Sequence, residues 1–538
     1  METLRADVWV IGSGAAGLMA AITARLDGAD VAVVGKSGPG KGTSTTFAVG
    51  AFSGPWEGLS EEAYKERVLT AGRGLNETDM VDIAAAEAPA RFQDLIDWGL
   101  TNKSAPGVFM ALPKDDPGDR IPVWGREIVR CLVAKAQEVG VRFVDNLVVR
   151  SIAAGADGVC LRAYGARRRR WLELRGGAAI LAAGGAGALF LHHDNPQRIG
   201  GDSHTLAYEA GCVMQDLEFV QFYPVAIAEP DKPVFLIEPE GADLGHLVNA
   251  DGEDILDKYD ITVRPAATHA RDALSQALFQ EIEQHDGAVY IDLTHVAKET
   301  WCANPISATK WAYLDANFNA WKQRLRVAPV AHFSGGGART DLDGATSVPG
   351  FYAAGEAAGG MHGANRMGGN ALTECLVFGH RAGAAATAFA QGRDQGARAP
   401  APAPTLETGE PQADPDDLRT ELRQVMWQYG GIRRDAEGLA TGLAKVRDIA
   451  AQAARTRGIN EPRRLEKFLE TQLAAGAAEL IIQAATRRQE SRGTHARADY
   501  PASDDENWRG HLKVERQADG PHWWFDPLPA EDGTQAAE

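Results

Sequence analysis

Gly12, Gly14 and Gly17 follow the apolar, β-rich run 7–11 and open an Ala/Leu-rich segment, 18–26, that reads as a helix. In that setting Gly12 permits a tight turn, Gly14 lets the backbone approach a pyrophosphate, and Gly17 lets helix and strand pack closely. Ser13, Ala15 and Ala16 complete the loop. The helix start offers free N–H groups and a positive dipole end to phosphate oxygens. A second apolar run, 30–34, follows at the distance a βαβ unit requires, so the opening is a dinucleotide-binding pattern. The second run ends in Gly35 and Lys36, without the acidic residue that usually holds a ribose 2′-hydroxyl, and the motif alone leaves NAD and FAD open.

Further glycine-rich segments point to backbone pressed against a flat ligand. Residues 182–187 lead into Gly200, Gly201 and Asp202. A strand-like run from Phe351 stops at Gly355 and Glu356. Residues 361–370 set His362, Asn365, Arg366 and Asn370 among glycines. By contrast, the five cysteines lie no closer than 29 residues apart, which excludes a C-x-x-C unit and a zinc or iron–sulfur site carried by this chain alone. Adjacent His192 and His193 cannot face one metal from a strand, and His204 and His362 read as packing residues, so no metal site is expected.

The elements that must position these residues follow from pattern. Runs 141–149 and 178–183 read as strands, with Arg167–Arg170 between them as a solvated hairpin. Residues 217–328 are richer in acids and aromatics and poorer in glycine, and glycine-rich sequence resumes at 334–337. That middle part is read as a domain inserted into the first. Repeated Ala-Pro pairs over 395–415 read as an extended linker. Segments 416–429, 439–456 and 464–488 carry helical apolar spacing, and the remainder to Glu538 has few periodic signals and a frayed end. At about 150 residues per domain the 538 residues allow three or four units. The expected division is 1–216 with 329–398, 217–328, 415–494 and 495–538.

The formal net charge is −18, from 55 Lys+Arg against 73 Asp+Glu, which argues against a general nucleic-acid binder. The longest apolar stretch, 178–191, is broken by glycines and too short to span a bilayer. The N-terminus has no apolar signal core, so a cytoplasmic location is the default expectation.

These segments resemble the flavoprotein family of fumarate reductase, succinate dehydrogenase and L-aspartate oxidase, through most of residues 5–510. Residues 351–372 are similar to that family's G-L-Y-A-A-G-E…H-G-A-N-R-L-G-G-N-S-L stretch. Residues 331–337 resemble its A-H-Y-T-M-G-G, 271–275 its R-D-x-x-S, and 487–499 its R-x-E-S-R-G-x-H-x-R-x-D. The resemblance implies an α/β chain with a Rossmann-like FAD-binding domain interrupted by a capping domain and followed by a helical domain. It further implies hydride transfer between flavin N5 and a carbon beside a carboxylate, with a small carboxylic acid as substrate. His332 and Arg366 would bind the substrate carboxylate, and Arg271 would carry the proton. Asp243 would be the relay acid, with Asp272 as a weaker candidate. Besides the glycine loop, Lys36, Ser44, Thr45, Thr46, Gly50, Asp202, Gly355, Glu356, Asn370, Ala371 and Leu372 would hold FAD.

Two departures from the family pattern matter. Respiratory members attach FAD covalently through the histidine of an S-H-T segment, and Ser44 stands there in this chain, which implies non-covalent FAD. Dicarboxylate-using members carry Q-[YF]-H-P, whereas this chain has Gln221-Phe222-Tyr223-Pro224. Tyr223 is neutral at pH 7 and offers one hydroxyl donor, so the expected substrate is not plain succinate or fumarate. The leading reading is a dehydrogenase or reductase acting on a CH–CH or C=C bond. The alternative is an aspartate-oxidase-like enzyme acting on a C–N bond of an amino acid. A non-enzymatic flavin-binding subunit would have no use for Arg271, His332 and Arg366 together. Electrons would leave to a separate iron–sulfur or other carrier subunit, to oxygen, or to a diffusible carrier, and the sequence leaves these three open.

Overall fold

The computed structural model describes residues 2–113, 123–284, 288–308, 310–391, 393, 413–455 and 461–529. The first apolar run forms the strand Val8–Ile11, buried throughout, at the centre of a five-stranded parallel sheet. The strand order is Phe351–Ala353, Ala178–Leu181, Val8–Ile11, Val31–Gly35, Arg142–Asp145. Near-continuous apolar strands suit a parallel sheet covered on both faces. The direction of winding reverses between Val8–Ile11 and Ala178–Leu181, and such a switch point is where open α/β sheets hold ligands. Helices Ala15–Leu26 and Asn370–Ala390 cross there in close contact. A Cβ on Gly383 would come within 2.4 Å of the Ala20 carbonyl oxygen, so glycine is required for that approach.

A second sheet, ordered Glu2–Arg5, Arg170–Gly176, Gly158–Gly165, Val148–Gly155, flanks the first. Arg170 pairs with Gly165, so the arginine run forms an exposed hairpin turn, as its charge suggested.

The segment between these halves builds an antiparallel sheet ordered Phe235–Leu236, Val220–Ile227, Leu325–Ser334, Val289–Asp292, His246–Asn249, with its own apolar core. Val220–Ile227 and Leu325–Ser334 carry the chain into and out of this part. They pair from Val220↔Ser334 to Ile227↔Val327, with irregularities at Gln221/Phe222 and Tyr223/Ala226. Breaks of that kind re-aim side chains, and these two flank Tyr223.

The expected helices appear as Pro415–Tyr429, Ala436–Arg455 and Pro462–Arg487. Most of the expected linker, 394–412, and the last residues, 530–538, lie outside the described residues. The final part is more ordered than its sequence suggested. Gly510–Gln517 and Gly520–Pro527 form a hairpin that extends a sheet through Met214–Gln215, Gly337–Arg339 and Ala358–Gly359. Among the described residues no helix is long and apolar enough to cross a membrane.

Arg488 pins this final part to the rest. It is fully buried, pairs with Glu218, Asp216 (3.4 Å) and Glu490 (3.0 Å), and donates to the Trp508 and Gly510 carbonyls at 3.0 Å. Asp216 also pairs with His511 and Glu490 with Arg492, but removing the cation strands buried Glu218, so Arg488→Met should destabilise the protein by about 3–5 kcal/mol. Urea denaturation followed by fluorescence measures this, and a loss below about 1 kcal/mol, the scale of exposed pairs, would show that the cluster is not a tie.

Candidate active site

At the switch point lies a cavity of about 790 Å³, within the usual range of about 300–1,000 Å³ for small-molecule sites. Its inner wall is the glycine loop from Gly12 to Ala16, with the starts of helices Ala15–Leu26 and Asn370–Ala390 beside it. Gly12 has φ +109°, and a Cβ there would sit 2.2 Å from the Ala182 carbonyl oxygen, so no other residue fits the turn. Side chains brace the loop. The Ser13 hydroxyl accepts from the Gly40 N–H and the Thr45 hydroxyl from the Ala15 N–H, both at 3.0 Å.

Lys36, Ser44, Thr45, Gly50, Asp202, Glu356, Ala371 and Leu372 all line the cavity. Lys36 is balanced by Asp202 (2.7 Å) and Glu470 (2.8 Å). Burial alone would raise the Glu470 pKa, but Lys36 and Arg198 hold it at about 2. The Ser44 hydroxyl donates to Asn195 at 3.1 Å. Four residues expected at the cofactor do not line the cavity. Gly17 serves packing, since a Cβ would meet the Gly12 carbonyl oxygen at 2.1 Å. Gly355, with φ +64°, packs on Ala16. Thr46 donates to the Gly40 carbonyl at 2.7 Å, and Asn370 accepts from the buried Tyr64 hydroxyl.

Tyr223, Arg271, His332 and Arg366 meet at the cap end of the same cavity. The Arg271 guanidinium lies 5.6 Å from the Tyr223 ring centre, and the Tyr223 hydroxyl donates to the Ile237 carbonyl at 2.8 Å. Burial pushes the Tyr223 pKa further up, so it stays neutral. Buried Arg366 donates to the Gln221 side chain (2.9 Å) and the Met367 carbonyl (3.1 Å) and lies 4.6 Å over the Phe333 ring. Its Nε has no hydrogen-bond partner among the described residues. Burial, and then repulsion from Arg271, push its pKa down to about 10, which leaves it charged at neutral pH. His332 Nδ1 lies 2.6 Å from Asp194 Oδ2, and because a carboxylate can only accept, Nδ1 carries the proton and Nε2 is left for the cavity.

Half-buried on the cavity wall, Glu356 is pushed up to about 7 by desolvation, against the opposing Ser334 N–H (2.9 Å) and the Arg366 charge. The donor set suits FAD: two helix N-termini and side-chain-free turns for a pyrophosphate, and a half-buried acid for a sugar-alcohol hydroxyl.

Asp243 is not at the site. It accepts from the Ala266 N–H at 3.0 Å, whereas Glu240, one turn earlier on Pro239–Leu244, lines the cavity. Asp272 also stands outside it, pushed up to about 6 by burial. Sequence reasoning missed Asp194, Glu238, Glu240 and Lys310, all on the cavity wall. Asp194 directly follows His192 and His193, a pair that marks the neighbourhood, while Lys310 gives no signal at all. Burial alone pushes the Lys310 ammonium down to about 7, and the Glu238 carboxylate paired with it favours keeping the charge. His192 packs edge-on against Trp427, and His362 bonds Glu374 at 3.1 Å. Among the described residues no group of three His, Cys, Asp or Glu could hold a metal ion.

Residues 7–372 match the family model of an FAD binding domain, and residues 419–532 that of the fumarate reductase flavoprotein C-terminal region. The chain is 31% identical over 544 residues to an L-aspartate oxidase of Streptomyces coelicolor, covering 96% of this chain and 92% of that one. It is 29% identical over 548 residues to a subunit of the fumarate reductase (CoM/CoB) of Methanothermobacter marburgensis, covering 96% and 98%. A quinol fumarate reductase structure from E. coli matches with a TM-score of 0.83 at 25% identity, over 100% of this chain and 99% of that one. This chain belongs to the flavoprotein family of fumarate reductase, succinate dehydrogenase and L-aspartate oxidase, and it is an FAD-dependent oxidoreductase.

Proposed function

We propose that the chain moves a hydride to or from a carbon beside a carboxylate, across a CH–CH or C=C bond of a small acid other than succinate or fumarate. The observation that carries this reading is the convergence of Arg271, His332 and Arg366 on one cavity, with an N–H of buried Arg366 left without a partner among the described residues. Guanidinium matches carboxylate bidentately and keeps its charge, so Arg366 and His332 hold and orient that group. FAD, when bound, takes up or returns the hydride at N5. The 12–17 loop holds the pyrophosphate, Glu356 accepts from a ribityl or ribose hydroxyl, and Lys36 and Asp202 flank the rest.

Arg271 passes the proton to or from the substrate carbon. Arginine has a pKa above about 12, so it needs an acid to restore its proton after each turnover. Glu240 is that acid, because it lines the cavity and acts with Arg271 on the charge environment of Tyr223. Tyr223 supports the exclusion of a second carboxylate. Its hydroxyl is committed to the Ile237 carbonyl, and a lost charge-assisted bond costs about 1.5–3 kcal/mol. The second reading is oxidation of a C–N bond, favoured by Glu240 on the cavity wall, since a carboxylate suits an ammonium. Electrons pass to oxygen in that reading and to a separate electron-carrying protein in the first, and the Methanothermobacter relative is itself named as one subunit of its enzyme.

Anaerobic mixing of the holoprotein with saturated acids should bleach the flavin, or unsaturated acids should re-oxidise the reduced form. Arg271→Gln should slow turnover by about 10²–10⁴-fold while leaving FAD bound. Peroxide release with amino acids and no response to any acid would favour the C–N reading instead. Ser44 offers no imidazole nitrogen for attachment, so acid precipitation should release the yellow colour into the supernatant, and colour kept in the pellet would contradict non-covalent FAD.

Glu356 makes stability pH-dependent in the FAD-free protein. Its folded pKa, about 7, lies above the ordinary 4.5, so its contribution is full below about pH 4.5 and is lost as pH rises through about 7. Relative to the unsubstituted protein, FAD-free Glu356→Gln should gain on the order of 2–3 kcal/mol between pH 4.5 and pH 8. Urea midpoints at the two pH values measure this, and a pH-independent difference would remove the assigned cause.

A further inference from the structure

One side-chain pair on the cavity wall is unused by the chemistry above. Glu238 is 8% exposed and Lys310 is 3% exposed, and both line the cavity. They form an ion pair, and Lys310 also donates to the Leu236 carbonyl at 3.2 Å. An ammonium has three donors, and besides the ion pair Lys310 makes one hydrogen bond among the described residues, to Leu236, so donor capacity remains. Apart from the ion pair, neither Glu238 oxygen has a hydrogen-bond partner among the described residues, although buried carboxylate oxygens are normally satisfied. An acceptor and a donor therefore stand side by side on the wall, both unmet.

Charge decides what this pair can take. The two charges cancel each other. An incoming carboxylate would face the open oxygen of Glu238 and the carboxylate of Glu240, while an incoming ammonium would face Lys310 and Arg271. Neither gains. An uncharged group with one N–H donor beside one carbonyl acceptor satisfies both positions, and the primary carboxamide is the smallest group of that kind. Tyr223 neighbours both groups: its hydroxyl is held by the carbonyl of Ile237, the residue before Glu238, and its ring centre lies 5.7 Å from that of His332, so a short ligand alongside this one ring meets both.

We propose that Glu238 and Lys310 form a carboxamide-recognising subsite, so that the substrate carries a carboxylate at one end and a primary amide at the other. The proposal rests on the reading of Arg366 and His332 as carboxylate binders. The test is calorimetric titration of the oxidised holoprotein with succinamate and with succinate, under anaerobic conditions. Fumaramate and fumarate are compared in parallel as oxidants of the reduced flavin. Succinamate should bind at least about tenfold more tightly than succinate, the scale of one hydrogen bond to a charged group. In Glu238→Gln that preference should fall to about threefold or less, because the glutamine amide presents a donor where the ligand needs an acceptor. Succinate binding as well as succinamate, or an unchanged preference in Glu238→Gln, overturns the amide subsite and leaves the carboxylate reading standing. Binding of neither ligand overturns both. The ligand comparison needs no variant, so it decides the matter even if the substitution prevents folding.

Discussion

Arg366 must stay charged although it is almost wholly buried, and the surrounding architecture answers that demand. Taking a guanidinium out of water is expensive unless its N–H groups are met. Gln221 and the Met367 carbonyl meet two of them, and the Phe333 ring faces the cation at 4.6 Å. Arg271 adds repulsion and no compensation. Two guanidinium groups lining one cavity, one with an open Nε, form an arrangement that an anion completes. The anion-binding property is therefore a consequence of how the cations are buried rather than an addition to it.

The strand pair Val220–Ile227 and Leu325–Ser334 enforces that burial. Gln221 comes from one strand and His332 and Phe333 from the other, while Arg366 belongs to the glycine-rich segment before helix Asn370–Ala390. Gln221 also donates back to the Arg366 carbonyl (2.9 Å) and to Asn365 (2.6 Å), so the strand and the loop hold each other. The same strands lead into the inserted antiparallel sheet, so that sheet and the Arg366 loop share one stem. The buried Arg488 cluster, which includes Glu218 just before Val220, ties the other end of this stem to the C-terminal part.

How much of this the sequence revealed depended on the range of the forces involved. The glycine loop was legible because its constraint is local: the Gly12 turn, the Gly14 start and the Gly17 crossing lie within one βα unit. The arginine hairpin and the three C-terminal helices were legible from periodicity and charge. The acid on the cavity wall was not, because Glu240 and Asp243 are three residues apart on one helix and spacing alone could not choose between them. The fold does: Asp243 accepts from the Ala266 N–H, whereas Glu240 lines the cavity. Asp194 meets His332 across 138 residues, and Lys310 meets the Leu236 carbonyl across 74. Nothing in either neighbourhood announces its partner. The final hairpin was missed for a related reason: it is set by pairing to Met214–Gln215, and β-structure of this kind follows tertiary context more than local preference.

The two ends of the cavity differ in what they leave unbalanced. At Arg366 and Arg271 two guanidinium groups share the cavity wall, Arg366 keeps an open Nε, and Asp194 is already engaged with His332. At Glu238 and Lys310 the charges cancel, and what is unmet is hydrogen-bonding capacity. A ligand with two like charges can satisfy the first end only by placing a charge against the second. Tyr223 adds no charge to the wall, because it stays neutral and commits its one polar atom to the backbone. The asymmetry therefore lies in the protein before any substrate arrives, and it is the ground for proposing an unsymmetrical acid.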